Sequence, residues 1–341
     1  MFTNYFLSAL RALKRQKLNT LLNVLGLGVG MASVVFLVLF ALTESDYDSY
    51  HPQASDIYRL AAKFPDTNLG KEGSAVVPGV FKAWLVQEFS NEISATTHIG
   101  QQDPFFSLYK DNKRLSNLPI NWADQDLETV FDVPVVAGDL AFALSRPNQL
   151  AISKSVAISL FGSADAVGKS LLLNNVLDVT VQAVFEDLPQ NSHLSFSVLV
   201  SMPTLEMVYP DRFESWTNIF FYSYLVTKPN TNIITLKDEI SRVWNERNTL
   251  YDVEAILQPV ESIHLDSNLS GEMKVNGSKM TVSLSVLLAI MIITVACFNY
   301  INIATARASS RAKEIGVRLS LGAGKRDIVA QFLFESFELC V

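Results

Sequence analysis

Two cysteines in 341 residues, Cys297 and Cys340, with none between residues 44 and 279, exclude a disulfide framework from the larger part of this chain. A segment of 236 residues buries a core of its own without such staples. Histidine is scarce too. His51, His98, His193 and His264 stand apart from one another and from cysteine, and none has the i, i+4 spacing that sets two metal ligands on one helix face. No metal or cofactor site is expected. The run Gly162-Ser163-Ala164-Asp165-Ala166-Val167-Gly168-Lys169-Ser170 falls short of a phosphate-binding loop, because it puts one residue too many between its glycines and reads as helix before and strand after, the reverse of what that loop needs. No Ser/His/Asp grouping is legible. Acidic pairs such as Asp46/Asp48 and Glu186/Asp187 read as solvated carboxylates on an acidic segment. A basic surplus is also missing: 27 Lys and Arg face 34 Asp and Glu, which argues against nucleic acid as a partner.

The most informative absence is local. Leu18–Thr43 runs for 26 residues without a charge and Met280–Ala306 for 27. At about 1.5 Å per residue, roughly 20 apolar residues cross a hydrocarbon core about 30 Å thick, so residues 18–43 and 280–306 are predicted to be transmembrane helices. The first is too long for the apolar region of a signal peptide, and Glu44-Ser45-Asp46 is a poor cleavage site, so an uncleaved anchor is expected. Residues 44–279 hold 30 acidic and 17 basic residues, a net charge of −13, whereas the other 105 residues hold 10 basic and 4 acidic, a net of +6. Arg11, Lys14, Arg15 and Lys17 precede the first span and Arg307, Arg311 and Lys313 follow the second, which assigns both ends to the cytoplasm and residues 44–279 to the far side. The expected fold class is a membrane protein with transmembrane α-helices flanking a large α+β extracytoplasmic domain.

Residues 1–17 read as an amphipathic interfacial helix, with Phe2, Tyr5, Phe6, Ala9, Leu10 and Leu13 opposite Arg11, Lys14 and Arg15. Within the first span Gly26 and Gly30, four apart, make a small-residue stripe that lets another helix approach closely. In residues 44–279 strands are expected at Ile57–Phe64, Ser170–Leu173, Val179–Phe185, Phe196–Met202 and Phe220–Val226. Helices are expected at Gly79–Phe89, at Lys154–Phe161 capped by Ser153, and at Ile233–Arg247. Elements so interleaved make one domain or two lobes, with a crossing between lobes expected near residues 191–210. Beyond the second span, Arg307, Arg311, Glu314 and Arg318 form one stripe of a helix, and Ala304, Ala308, Ile315 and Leu319 lie on the neighbouring face. Gly322-Ala323-Gly324 is expected to end that helix, and residues 328–341 read as the start of a third span.

These residues resemble a family, the MacB/FtsX-type permease subunits of bacterial ABC transporters. The resemblance rests on Asn4-Tyr5-Phe6 through Gly30, on Tyr47-Asp48-Ser49-Tyr50-His51 with Ile57-Tyr58-Arg59, and on Asp187-Leu188-Pro189-Gln190-Asn191-Ser192-His193-Leu194. Its most specific part is Arg311-Ala312-Lys313-Glu314-Ile315-Gly316-Val317-Arg318, continuing through Leu321-Gly322-Ala323 to Arg326-Asp327-Ile328 and Gln331-Phe332-Leu333. The resemblance implies a non-catalytic permease of the bacterial inner membrane with a periplasmic core domain over 44–279. It further implies a coupling segment over 307–327 that docks an ABC ATPase, with Arg311, Lys313, Glu314, Ile315, Gly316, Arg318, Gly322 and Arg326 as its residues. A second permease copy or homologue, a periplasmic adaptor and membrane lipid are the other partners it implies. On this reading the ATPase is a separate subunit and the chain is the front part of a longer permease. The rivals are a two-span receptor, which should continue into polar heptads after Arg307 where this chain turns hydrophobic again, and a membrane-anchored hydrolase, which has no nucleophile motif behind it.

Overall fold

A computed structural model describes residues 17–65, 73–102, 107–111, 113–115, 118–248, 250–320 and 324. The described residues separate into two compact units, one within residues 1–41 and 282–341 and the other within residues 42–281.

The first unit is built on two long helices, Lys17–Ser45 and Lys279–Ser320. Leu25–Ser45 and Lys279–Asn302 each reach a mean hydropathy of 2.5. Their large apolar side chains are nonetheless bare, with Phe36 69 % and Val295 68 % exposed. A core helix of a water-soluble protein buries such residues; a helix solvated by lipid does not. Two hydroxyls in the spans are satisfied locally, as lipid requires: Ser33 donates to the Val29 carbonyl and Thr294 to that of Ile290, both at 2.8 Å. The expected interfacial helix lies outside the described residues save for Lys17, which begins the first helix, and the expected third span lies outside them altogether.

The second unit is a mixed sheet. Its strands are β1 (Ile57–Lys63), β2 (Val77–Pro78), β3 (Ile93–Gly100), β4 (Leu108–Lys110), β5 (Lys113–Leu115), β6 (Ile120–Ala123), β7 (Val135–Gly138), β8 (Gln149–Ser153), β9 (Ser170–Leu173), β10 (Leu177–Phe185), β11 (Val198–Ser201), β12 (Ile219–Thr227) and β13 (Glu254–Pro259). One half has the antiparallel order β13-β1-β12-β3, with the helix Phe81–Glu88 between β1 and β3 and the helix Ile233–Arg247 between β12 and β13. That is the split βαβ arrangement of ferredoxin-like folds. The second helix forms because Asn232 caps it, its side-chain oxygen accepting from the amides of Ile234 and Thr235 at 3.1 Å, and because Leu236, Ile240 and Trp244 recur every four residues to bury one face. With Phe81 and Leu85 of the first helix they pack over Leu60, Leu225 and Ala255 of the sheet.

The other half, residues 101–218, is inserted between β3 and β12 and continues the sheet as β6-β11-β8-β10-β9-β4-β5, with β6–β11 and β8–β10 parallel. The two halves join where Ile99 pairs with Ala123 and Gly100 with Trp122. A Cβ on Gly100 would lie 3.0 Å from both Phe220 and Trp122, so only glycine fits the seam without displacing one of these rings. The chain thus crosses between halves after Gly100 and before Ile219, not near residues 191–210. That range instead holds β11, which lies inside the inserted half between β6 and β8, and the helix Met202–Val208 that follows it. A single core draws Ile57, Ile99 and Tyr224 from one half and Phe131, Phe185 and Phe196 from the other, so the halves form one body.

Candidate functional site

The residues marked by sequence as a coupling segment lie on the second long helix, whose backbone is helical without a break from Lys279 to Ser320 through Arg311, Lys313, Glu314, Ile315, Gly316 and Arg318. A Cβ on Gly316 would meet nothing within 4 Å, so packing among the described residues does not explain that glycine. Gly322 and Arg326 lie outside the described residues. In the first span a Cβ on Gly30 would lie 3.6 Å from Ile292, placing Gly30 against the second helix, whereas one on Gly26 would meet nothing. The two glycines line an apolar groove with Leu27, Met291, Ile292 and Asn299.

A second site, wholly within residues 42–281, gathers stretches far apart in sequence. The first helix ends at Ser45, and three residues later Asp48 takes a left-handed turn, φ 58°, which Asp tolerates better than most side chains. The turn drives its carboxylate fully into the domain. There it accepts from the His193 amide at 3.1 and 3.2 Å and from Ser192 Oγ at 3.1 Å, and lies 2.9 Å from His193 Nδ1. The Asp48 amide donates to the Asn191 carbonyl at 2.9 Å, and the Asn191 side-chain amide donates to the Asp46 carbonyl at 2.8 Å. The relay continues inward, because His193 Nε2 sits 2.9 Å from the Tyr224 hydroxyl in the middle of β12.

The segment leading to the second span grips the same loop. Lys274 Nζ donates to the carbonyls of Gln190 and Ser192 at 2.8 and 3.2 Å and lies 5.3 Å from the centre of the Tyr47 ring. Tyr47 stacks on His264 at 3.3 Å, and His264 Nε2 is 2.8 Å from Glu44. Deeper, the buried Arg59 of β1 binds Glu272 through two contacts of 2.5 and 2.9 Å and donates to Gln258 and Ser267. Residues 44–51, 190–193 and 264–277 therefore form one knot at the base of the domain.

The electrostatics follow from burial and pairing. Burial alone would raise the Asp48 pKa, but the charge of His193 and the hydrogen bonds from His193 and Ser192 bring it below the usual carboxylate value. His51, with Phe131 at 5.1 Å, has no hydrogen-bond partner at either ring nitrogen, and burial pushes its pKa down to about 4. Tyr50, donating to Ser192 Oγ at 2.9 Å, is raised by burial to about 12.

The reading of Asp48 as a solvated carboxylate is thus corrected: its left-handed turn buries it, while its neighbour Asp46 stays exposed. Glu186 and Asp187 do remain at the surface, where Asp187 accepts from the Ser155 amide and hydroxyl at the start of the helix Lys154–Phe161. Gly162 ends that helix in a left-handed conformation. Sequence reasoning did not single out Glu44, Arg59, His264, Glu272 or Lys274 as partners. The signal was their place, since charged and histidine side chains flanking two spans have reason to pair. Among the described residues no cluster of three or more potential metal ligands occurs.

Two long apolar helices and the large mixed α+β domain between them in sequence define a membrane protein with an extracytoplasmic core. Residues 20–243 match the family of the MacB-like periplasmic core domain and residues 286–341 the FtsX-like permease C-terminal family. The chain belongs to the MacB/FtsX-type permease family, and with the positive ends cytoplasmic its acidic domain is periplasmic. It is 24 % identical to the macrolide export ATP-binding/permease protein MacB of Marinobacter nauticus over 97 % of its length, and 25 % identical to that of Neisseria gonorrhoeae over all of it. The chain spans about half the length of these curated relatives, 49 % and 51 %. A crystal structure of a domain described as part of a permease protein from Porphyromonas gingivalis shares the fold, with a TM-score of 0.52 at 19 % identity, covering 69 % of this chain and 99 % of that one.

Proposed function

We propose that this chain is the permease part of a MacB/FtsX-type ABC transporter and converts ATP-driven movement on the cytoplasmic side into movement of its periplasmic domain. The observation that carries this reading is the unbroken 42-residue helix from Lys279 to Ser320. At about 1.5 Å per residue it is roughly 63 Å long, about twice the hydrocarbon thickness, so the helix is long enough to cross the bilayer and continue into the charged stripe over residues 307–318. The FtsX-like match over residues 286–341 favours this over a two-span receptor. An ABC ATPase outside these 341 residues supplies the hydrolysis and docks on residues 307–327; a second permease copy, a periplasmic adaptor and lipid complete the assembly. Export and force transmission without passage of a substrate both fit the same lever.

The test is charge reversal at Glu314 and Arg318 in the full subunit. Glu314→Lys with Arg318→Glu is expected to abolish co-purification of the ATPase and its stimulated turnover. Unchanged association and turnover would remove the docking assignment.

A further inference from the structure

We propose that Asp48 and Lys274 are positioning residues of a single cooperative knot, in which the loop 190–193 locks the segment after the first span to the segment before the second. Asp48 holds this loop from its amide side, accepting from Ser192 and His193, while Lys274 holds it from its carbonyl side, donating to Gln190 and Ser192. The two grips share Ser192. Removing either leaves the loop half-held, and the other grip then has no fixed geometry to meet. A direct bridge reinforces the lock: a Cβ on Gly277 would lie 2.5 Å from Glu44 and 2.6 Å from His264, so the backbone before the second span runs tight against the Glu44–His264 pair. The inner part of this network, Asp48, Ser192 and His193, is buried, and buried polar networks are worth more than separate pairs, since each unsatisfied member is costly. The lock rests on the permease reading only for its purpose: it ties together the two segments of the outer domain that lead to the spans.

Spin-label distances in the full chain test this, with Cys297→Ser and Cys340→Ser as background. Labels at Ser49→Cys and at Val275→Cys are each paired with one at Val176→Cys, an 85 % exposed position in the β9–β10 turn. Asp48→Asn is expected to cost both distances their narrow distribution, not only the one from residue 49. Lys274→Met is expected to do the same from the other side, and Lys274→Arg to restore both. Two independent anchors would not give the cross-effect, so widening confined to the substituted segment, or none in either, overturns the proposal. ATPase co-purification that survives charge reversal at Glu314 and Arg318 would overturn the docking reading and leave these distances untouched.

Discussion

Asp48 at the base and Asp124 at the seam between the halves are both buried carboxylates with several donors, yet their pKa values move in opposite directions. Asp124 accepts from Thr97 Oγ1, the His98 amide and the Asp126 amide at 2.7 to 3.0 Å and pairs with Lys82 at 2.7 Å. Burial still raises its pKa against Lys82 and these hydrogen bonds. Lys82 explains the failure, because it is 28 % exposed and shared with Asp126, so solvent and a second carboxylate divide its attraction. The partner of Asp48 is His193, itself 3 % exposed and committed to no other carboxylate. The base is therefore held by charge. The seam is held by shape: a glycine only Gly100 can supply, and a core common to both halves.

Alanine at the two carboxylates separates these modes most sharply. Asp48→Ala strands the buried His193 amide and ring and Ser192, and is expected to cost about 3–5 kcal/mol. Asp124→Ala leaves Lys82 free to turn to Asp126 and water, for about 1–3 kcal/mol. All four tryptophans, Trp84, Trp122, Trp216 and Trp244, lie in residues 44–279, so intrinsic fluorescence of the detergent-solubilised full chain reads the unfolding of this domain alone. Equal losses would mean that burial and not pairing governs both sites.

Acid should strain the base and relieve the seam. The folded pKa of Asp48 is below its unfolded value, so its contribution is whole at neutral pH and is lost as pH falls through the folded value. The folded pKa of Asp124 is raised, so its ionised form opposes folding at neutral pH and protonation favours the fold. Two histidines act in the milder range: burial lowers His51 to about 4 and His98 to about 3, so the unfolded chain takes up their protons first as pH falls below about 6.5. Each costs at most about 1.4 kcal/mol per pH unit between its unfolded and folded values, and the two together about 2.4 from pH 6 to 5. His51 faces Asp48, His193, Asp132, Tyr50 and Phe131, and an apolar ring in its place keeps the contact with Phe131. His51→Phe should lower the slope of unfolding free energy between pH 6 and 5 by about 1.2 kcal/mol per pH unit; an unchanged slope would mean that His51 is not neutral in the fold.

Much of the fold was legible because local chemistry and tertiary context agree. The helix Ile233–Arg247 and the Ser153-capped helix Lys154–Phe161 appear over the residues that caps and spacing predict. Strand β9 likewise matches the expected Ser170–Leu173. The order of strands was not legible, because pairing β12 with β3 joins residues more than a hundred apart, and nothing in either strand names its partner. The base knot failed for the same reason. Tyr47–His51 and Asp187–Leu194 were both visible as family-like stretches, but only the turn at Asp48 brings them within hydrogen-bond distance. Charge segregation, by contrast, needs no geometry, which is why the spans and their orientation could be read directly.

The smallest predicted effect sharpens the comparison from its least charged member. Gly277 has no unusual backbone angle, so alanine there adds only a methyl group, and any loss of stability comes from what that methyl displaces. It would push Glu44 and His264 apart, and since the Glu44 carboxylate is the end of a flexible chain it can retreat, at a cost of about 1 kcal/mol. An overpacked seam has no such escape: Gly100→Ala presses on the Trp122 and Phe220 rings, and should cost more, about 1–3 kcal/mol, although the contact there is looser at 3.0 Å than 2.5 Å. If Gly277→Ala proved the costlier of the two by tryptophan-monitored unfolding, the base would be held by tight packing as well as by charge, and the contrast between the two regions would fail.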